Sequence, residues 1–521
     1  MSASREKQIR QELEASGVTD TKALQEMEQA KKEKRSNRLY ALIGVVFLVA
    51  LAASIVWRSN IIAKSATAVT IDGEKYTAAD VSFYYWNGYN NFLNNYSYLV
   101  SYMGLDTTTS PAGQVMNETA TSMLGAEEGS TWQEYFLEQA FQQMAAIQVV
   151  LDKVEAEGYT YTDSVQAQYD GTMESLETTA AANGANLKTY LQNAYGSVMT
   201  EKAFTEQLMR VSQYSDYINS YYQSLDFTDA EIAAAYEADP TSYDRISYQS
   251  VSVLGSASAT TDAEGNTVEP TEEETAAAKA QAKATAEELL AAYKAGGDLE
   301  ALAEDAERAT YTSNDEASYF TSDLGLWLFD EARKPGDCTV IESGTTYYVA
   351  VFGERFRRED PTVDVRHILF MTETGELTSE DEGYEAEQEQ LKADVKAKAD
   401  AMLAEWKAGE ATEESFAALA TANTEDTGSM STGGLYENVY QGQMVETFND
   451  WCFDTARKSG DTGVVESPYG AHVMYYVGEN VPFWQFEVKS DLMNNAYNEW
   501  LTALPAESTI TPSDFGLGFV G

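Results

Sequence analysis

Apolar positions fall into three patterns along this chain. Residues 39–57 read LYALIGVVFLVALAASIVW, an unbroken apolar run of 19 residues with no charge. As a helix it would span roughly 28 Å, about one bilayer core. Lys31, Lys32, Lys34, Arg35 and Arg38 precede it, and only Arg58 and Lys64 follow closely. That asymmetry predicts a single transmembrane helix over 39–57. It places a basic cytoplasmic tail at 1–38 and the rest of the chain outside the membrane. The other reading is a cleaved signal peptide, with Ala63, Ala66 and Ala68 as small cleavage-site residues. The long apolar run and the length of the preceding tail favour an uncleaved anchor.

Residues 66–240 follow a helical period. The segment opens with VTIDGEKYT, where Asp72-Gly73 between β-prone residues signals a hairpin. Helices are predicted over 79–102, 132–157, 164–182 and 187–225. A further helix starts at Thr228, where Thr228 and Glu231 make a capping box. This segment reads as a helical lobe. Its Tyr- and Phe-rich stretch at 83–103 suits either a core or a cradle for unfolded clients.

After Pro240 the pattern turns to strands and charged helices. A β-type run at 245–254 leads into an acidic, Thr-rich loop and a charged helix over 272–295. The same order recurs as a β-type run at 363–370, an acidic loop and a charged helix near 385–408. Residues 327–343, WLFDEARKPGDCTVIES, and 451–467, WCFDTARKSGDTGVVES, are identical at 11 of 17 positions without a gap. We read two copies of one α+β domain, 244–356 and 362–480. Residues 481–521 predict a final amphipathic helix that returns to the helical lobe.

Composition narrows the chemistry. The 521 residues include 84 acidic and 34 basic side chains, a net charge of −50. Residues 1–64 carry a net +4 and the remainder −54, so the sign changes across the apolar run. Such acidity repels nucleic acid. Two cysteines give no disulfide framework, and two histidines leave little for a metal site. Cys338 and Cys452 occupy non-equivalent places in the repeat, which suits two free thiols better than a bridge. No EF-hand loop occurs, and the acidic surface reads as solvated charge.

Both histidines lie in the second repeat. His367 sits in the β-type VRHILF and His472 in YGAHVMYYV. Between them come Thr424-Glu425-Asp426, Gly433-Gly434 and Gly442-Gln443-Met444, with Phe448 four residues on. In this order over residues 362–480, these motifs resemble parvulin-type peptidyl-prolyl isomerases. The whole layout resembles extracytoplasmic foldases of the PrsA and SurA kind.

The resemblance implies an α+β fold: a helical chaperone-like lobe plus two parvulin-like domains, each a small antiparallel sheet with surrounding helices. It implies cis–trans isomerisation of Xaa-Pro bonds in exported polypeptides, with no cofactor and no metal. By position, His367, Asp426 and His472 match the catalytic constellation. Met444 and Phe448, read as one helix face, match the apolar wall of the proline pocket. Gln443 matches its lip, and Tyr469 a position near the hydrogen-bond chain to His472. The alternative function is a membrane-anchored holdase that binds unfolded exported chains without isomerase activity. The acidic loop TETGELTSEDEGYEAEQEQ after the His367 strand argues against phosphopeptide substrates.

In the first repeat Ser250 falls near the place of His367 and Tyr348 at that of His472, and the Gln-Met-x-x-x-Phe motif has no match. A substrate-binding or spacer role and a duplicate kept for packing both remain open for it.

Overall fold

Asp72 and Gly73 both have positive φ, 49° and 91°. That is the conformation a two-residue hairpin turn requires. They join strands Thr67–Ile71 and Glu74–Thr77. The computed structural model describes residues 60–261 and 267–520 throughout, residues 38–51, and scattered positions around and before these. Residues 38–51 are helical and exposed. The remainder of the expected 39–57 span, and most of the 1–38 tail, lie outside the described residues. Among the described residues no helix is long and apolar enough to cross a membrane.

The chain divides into two units, one of residues up to 225 with 497–521, the other of 226–496. In the first unit a third strand, Ile510–Pro512, pairs antiparallel with Thr67–Ile71. Helices Ala78–Asn95 and Trp132–Glu157 both begin at capping boxes, Thr77 with Asp80 and Thr131 with Glu134. Helices Ser164–Ala182 and Glu201–Ser224 pack beside them. Two expected helices are shorter in the structure. The first stops at Asn95 instead of 102. The one expected over 187–225 is split after Tyr195, where Gly196 takes φ 87°. Trp132, Tyr84, Tyr85, Phe136 and Phe204 are fully buried. The aromatic stretch from Phe83 to Phe92 therefore supplies core, whereas Tyr98 and Tyr102 stay exposed. Leu504 is buried against Ala146, Val150 and Val154 and ties the C-terminal segment to this core.

The second unit holds two four-stranded antiparallel sheets with the same strand order. One runs Ala309–Ala317, Arg245–Leu254, Thr346–Phe356, Cys338–Ser343. The other runs Leu435–Val439, Pro361–Met371, Gly470–Pro482, Thr462–Ser467. A long helix covers one face of each, Glu272–Lys294 on the first and Tyr384–Ala408 on the second. In the second sheet Ile368 and Val473 meet Val395, Ala399, Trp406 and Phe416 on that face. The opposite face packs Val365, Met474 and Val465 against Phe448 and Cys452. Burial on both faces explains why the Gly470–Pro482 strand reads as continuous apolar sequence rather than alternation.

The two sheets also correspond in register. His472 lies opposite Leu369 and His367 opposite Met474. In the first sheet Tyr348 lies opposite Ser252 and Ser250 opposite Ala350. Ser250 and Tyr348 thus occupy the places of His367 and His472.

Candidate active site

Because side chains alternate faces along a strand, His367 and Leu369 share a face, and His472 opposite Leu369 shares it too. The histidines are therefore diagonal neighbours. Their Nδ1 atoms are 3.1 Å apart and the rings stack at 5.3 Å. Both are buried.

The loop after helix Glu413–Asn423 brings Asp426 to the outer nitrogen of His367. Glu425 N–H donates to Leu369 O at 2.9 Å, and Leu369 N–H donates to Thr424 Oγ1 at 3.1 Å. These bonds hold the loop against the strand. Asp426 Oδ2 then lies 2.9 Å from His367 Nε2. The loop closes through Gly433 and Gly434, with φ 67° and 74°. Gly434 O accepts from His367 N–H at 2.8 Å, and a Cβ on Gly434 would sit 2.2 Å from His367 O. Only glycine allows both the left-handed conformation and that approach.

The hydrogen bonds form one directed chain. Burial alone would raise the Asp426 carboxyl, but hydrogen bonds from Ser429, Tyr436 and His367 outweigh it and bring it down to about 2. Asp426 is therefore an acceptor at neutral pH, and His367 Nε2–H donates to it. Burial lowers His367 despite Asp426, and burial with the neighbouring His367 lowers His472 to about 4. Both rings are then neutral at pH 7. His367 Nδ1 must accept from His472 Nδ1–H, and His472 Nε2 accepts from the Ser467 hydroxyl at 2.8 Å. Tyr436 O–H donates to Asp426 Oδ2 at 2.8 Å, and Ser429 O–H donates to the same oxygen.

Phe448, on helix Glu446–Cys452, stands edge-on to both imidazoles, 5.6 Å from His367 and 5.3 Å from His472. Met444 packs into the same apolar cluster. The expectation that Met444 and Phe448 share one helix face needs correction. The helix begins at Glu446, so Met444 lies in the preceding turn. There Gly442 adopts φ 90° and donates its N–H to Asn449 Oδ1, an arrangement a helix does not reach. Gln443 is exposed, and its side-chain oxygen accepts from Tyr440 N–H at 3.1 Å. Tyr469 is 61% exposed and has no side-chain bond to His472. It occupies the turn Pro468-Tyr469, and its N–H donates to Ser467 Oγ at 3.1 Å.

Three residues of the cluster escape the sequence reading. Ser467 was legible in principle: a two-residue turn pairs Ser467 with Gly470 and Val465 with His472, which puts Ser467 on the histidine face. Ser429 and Tyr436 carry no comparable signal, because the loop conformation brings Ser429 to Asp426 and the register of the edge strand brings Tyr436. Of the two thiols, Cys452 is buried and pushed up to about 12 by burial, and Cys338 is partly buried; both are free. Among the described residues no group of acidic, histidine and cysteine side chains is arranged to hold a metal ion.

Residues 351–478 match the PPIC-type PPIASE domain. No curated protein matches the chain. Among solved structures, PrsA from Bacillus subtilis is 14% identical over 73% of this chain and 88% of its own, with a TM-score of 0.28. PrsA from Bacillus anthracis is 20% identical over 29% of this chain, at a TM-score of 0.18. This chain spans 59% of that protein's length. The SurA-like chaperones PEB4 and Cj1289 of Campylobacter jejuni are represented by a structure 13% identical over 85% of this chain and 94% of its own, at a TM-score of 0.12. The segment that carries both histidines, Asp426, Met444 and Phe448 is a parvulin-type peptidyl-prolyl isomerase domain.

Proposed function

We propose that this protein is a membrane-anchored foldase that catalyses cis–trans isomerisation of Xaa-Pro bonds in exported polypeptides. The observation that carries the reading is the buried His367–His472 pair, bonded to Asp426 and walled by Phe448, inside the parvulin-type domain. His367, Asp426 and His472 form the catalytic floor, and Met444 and Phe448 grip the proline ring. Gln443 and Tyr469 contact the flanking peptide. In this reading the helical residues from 66 to 225, with 497–521, form the chaperone lobe, and the expected bounds of 240 and 481 are narrowed to those of the first unit. Residues 244–356 form a parvulin-like domain without the site, and 362–480 the catalytic one. The apolar run at 39–57 and its basic flank anchor the chain, with the C-terminal domains outside.

The chemistry requires no bond to be made or cut. An Xaa-Pro amide must rotate past a barrier of about 18–20 kcal/mol set by C–N double-bond character. A site lowers it by binding the twisted amide better than either planar form. A dry apolar wall withdraws the water that stabilises the charge-separated planar amide. The histidine chain, neutral and fixed in one tautomer, offers an uncharged floor for that pocket. Neither imidazole acts as a nucleophile here.

A holdase is the second reading. The loss of the histidine pair in the first sheet, where Ser250 and Tyr348 stand instead, favours binding without catalysis for that repeat. The test is isomerisation of a short Xaa-Pro peptide by the full chain, beside folded His367→Ala, His472→Ala and Met444→Ala variants. Acceleration lost in the variants supports the foldase. No rate above buffer, with client aggregation still suppressed, leaves the holdase.

A further inference from the structure

Tyr436 lies in the Leu435–Val439 edge strand, directly opposite Val365. Val365 and His367 share a face of the neighbouring strand, so the tyrosine ring is delivered beside His367. The two rings stack at 4.9 Å with an interplanar angle of 25°. The same side chain reaches past the imidazole, and its hydroxyl donates to Asp426 Oδ2 at 2.8 Å. One residue thus holds both members of the His367–Asp426 pair. The register of the edge strand shifts after Tyr436, and Asn438 takes φ 54°. The chain therefore departs from regular pairing immediately after placing this ring.

We propose that Tyr436 is a positioning residue of the isomerase site: it fixes Asp426 by hydrogen bond and His367 by stacking, and so sets the tautomers of the histidine pair. The proposal builds on the function proposed above, and its test reads the histidines directly. Asp426 Oδ2 accepts from Ser429, Tyr436 and His367. Ser429 Oγ also lies 3.2 Å from His367 Nε2 and can share that nitrogen's proton as a second acceptor. Tyr436 contacts His367 through its stacked ring alone, so its hydroxyl is committed to Asp426. Burial first, then Asp426, push the Tyr436 phenol up to about 12, so it remains a donor throughout the working range.

The charged and titratable groups around the pair are few. The His367 strand presents His367 itself, the His472 strand presents His472, and the loop presents Asp426. Helix Glu446–Cys452 presents the uncharged Phe448 and, deeper in the same cluster, the Cys452 thiol, held protonated by burial. Glu425 directs its carboxylate to Met371 N–H. A change at Tyr436 therefore acts on Asp426 and the two imidazoles.

The chain contains only two histidines, so 15N labelling of histidine in the full chain gives an unambiguous readout. In the unaltered protein we expect a single tautomer for each ring, His367 with its proton on Nε2 and His472 on Nδ1. Tyr436→Phe keeps the ring and removes one donor from Asp426. The carboxylate charge, less neutralised, then holds a proton on His367 more strongly. The His367 midpoint should rise by about half a pH unit, and the carboxylate, freed of one tether, should turn from Nε2 often enough for a second tautomer to appear. The acid limb of the isomerisation rate should move upward with it, with kcat/KM lower by about two- to tenfold. Tyr436→Leu, which also removes the stacked ring, should give the larger change in tautomer ratio. Unchanged tautomers and midpoint in folded Tyr436→Phe would overturn the proposal. Because the nuclear resonance signal needs no turnover, a chain without isomerase activity but with shifted imidazoles would count against the proposed function and for the role of Tyr436.

Discussion

His367 and His472, 105 residues apart in sequence, meet Nδ1 to Nδ1 at 3.1 Å. Strand register alone produces the meeting, since His472 pairs with the residue two positions beyond His367. Each ring has a second partner at its other nitrogen, Asp426 for His367 and Ser467 for His472. The pair is thus the middle of a four-residue chain with a fixed donor order.

Breaking that chain should cost activity more than fold. His472→Ala leaves His367 Nδ1 and the Ser467 hydroxyl without their partner, a loss of about 1–3 kcal/mol for a buried unsatisfied group. We expect peptide isomerisation to fall by at least tenfold while circular dichroism remains native. A chain with unchanged kcat/KM would remove the imidazoles from the mechanism.

Acid should loosen this domain before most carboxylates titrate. His472 has its native pKa near 4 against an ordinary 6.5, so between these values the unfolded chain binds the proton and the native chain does not. The contribution is complete above pH 6.5 and is lost as pH falls towards 4, up to ~3 kcal/mol. His367 acts in the same direction. Asp426, lowered to about 2, adds a further loss between 3.8 and about 2. Urea midpoints at pH 7.5 and 5, for the native chain and His472→Gln, should show a smaller pH dependence in the variant. Equal dependence in both would contradict the assignment.

Gly434→Ala should be far worse than Gly442→Ala. Both glycines have positive φ, 74° and 90°. At Gly442 the new methyl meets nothing within 4 Å, whereas at Gly434 it meets His367 O at 2.2 Å. Strain alone costs on the order of 1 kcal/mol; the clash adds to it and displaces the Asp426 loop. Thermal unfolding and isomerase rate, measured on both, should rank them in this order.

Phe448→Ala should be the most destabilising change at the apolar wall, by about 3–5 kcal/mol, because the ring is buried in the core beneath both imidazoles. Phe448→Leu should retain the fold and raise KM for a proline peptide. A Leu variant with native KM would show that the ring does not contact substrate.

Substitutions in the first sheet should leave the chemistry alone. Ser250→Ala and Tyr348→Phe change the residues at the histidine places of the first repeat. The expected isomerase rate is that of the unaltered chain, and a fall above twofold would mean that this sheet takes part.

Much of this architecture can be read from local signals. Capping boxes at Thr131 and Thr228 start their helices where expected, and the Asp72-Gly73 turn forms its hairpin. The ungapped repeat anticipates two sheets of one strand order. Motif order singles out the two histidines, Asp426 and Phe448, and the structure brings these four side chains together. These features depend on short-range periodicity and on residue types with one conformational use, which a sequence carries on its face. What the tertiary structure alone decides is how distant groups face each other. It splits the helix after Tyr195, moves Met444 off the helix of Phe448, and turns Tyr469 away from His472 in favour of Ser467. It also brings Tyr436 and Ser429 onto one carboxylate oxygen. Those outcomes depend on strand register, loop closure through Gly434 and side-chain direction, which arise only when segments far apart in the chain pack together.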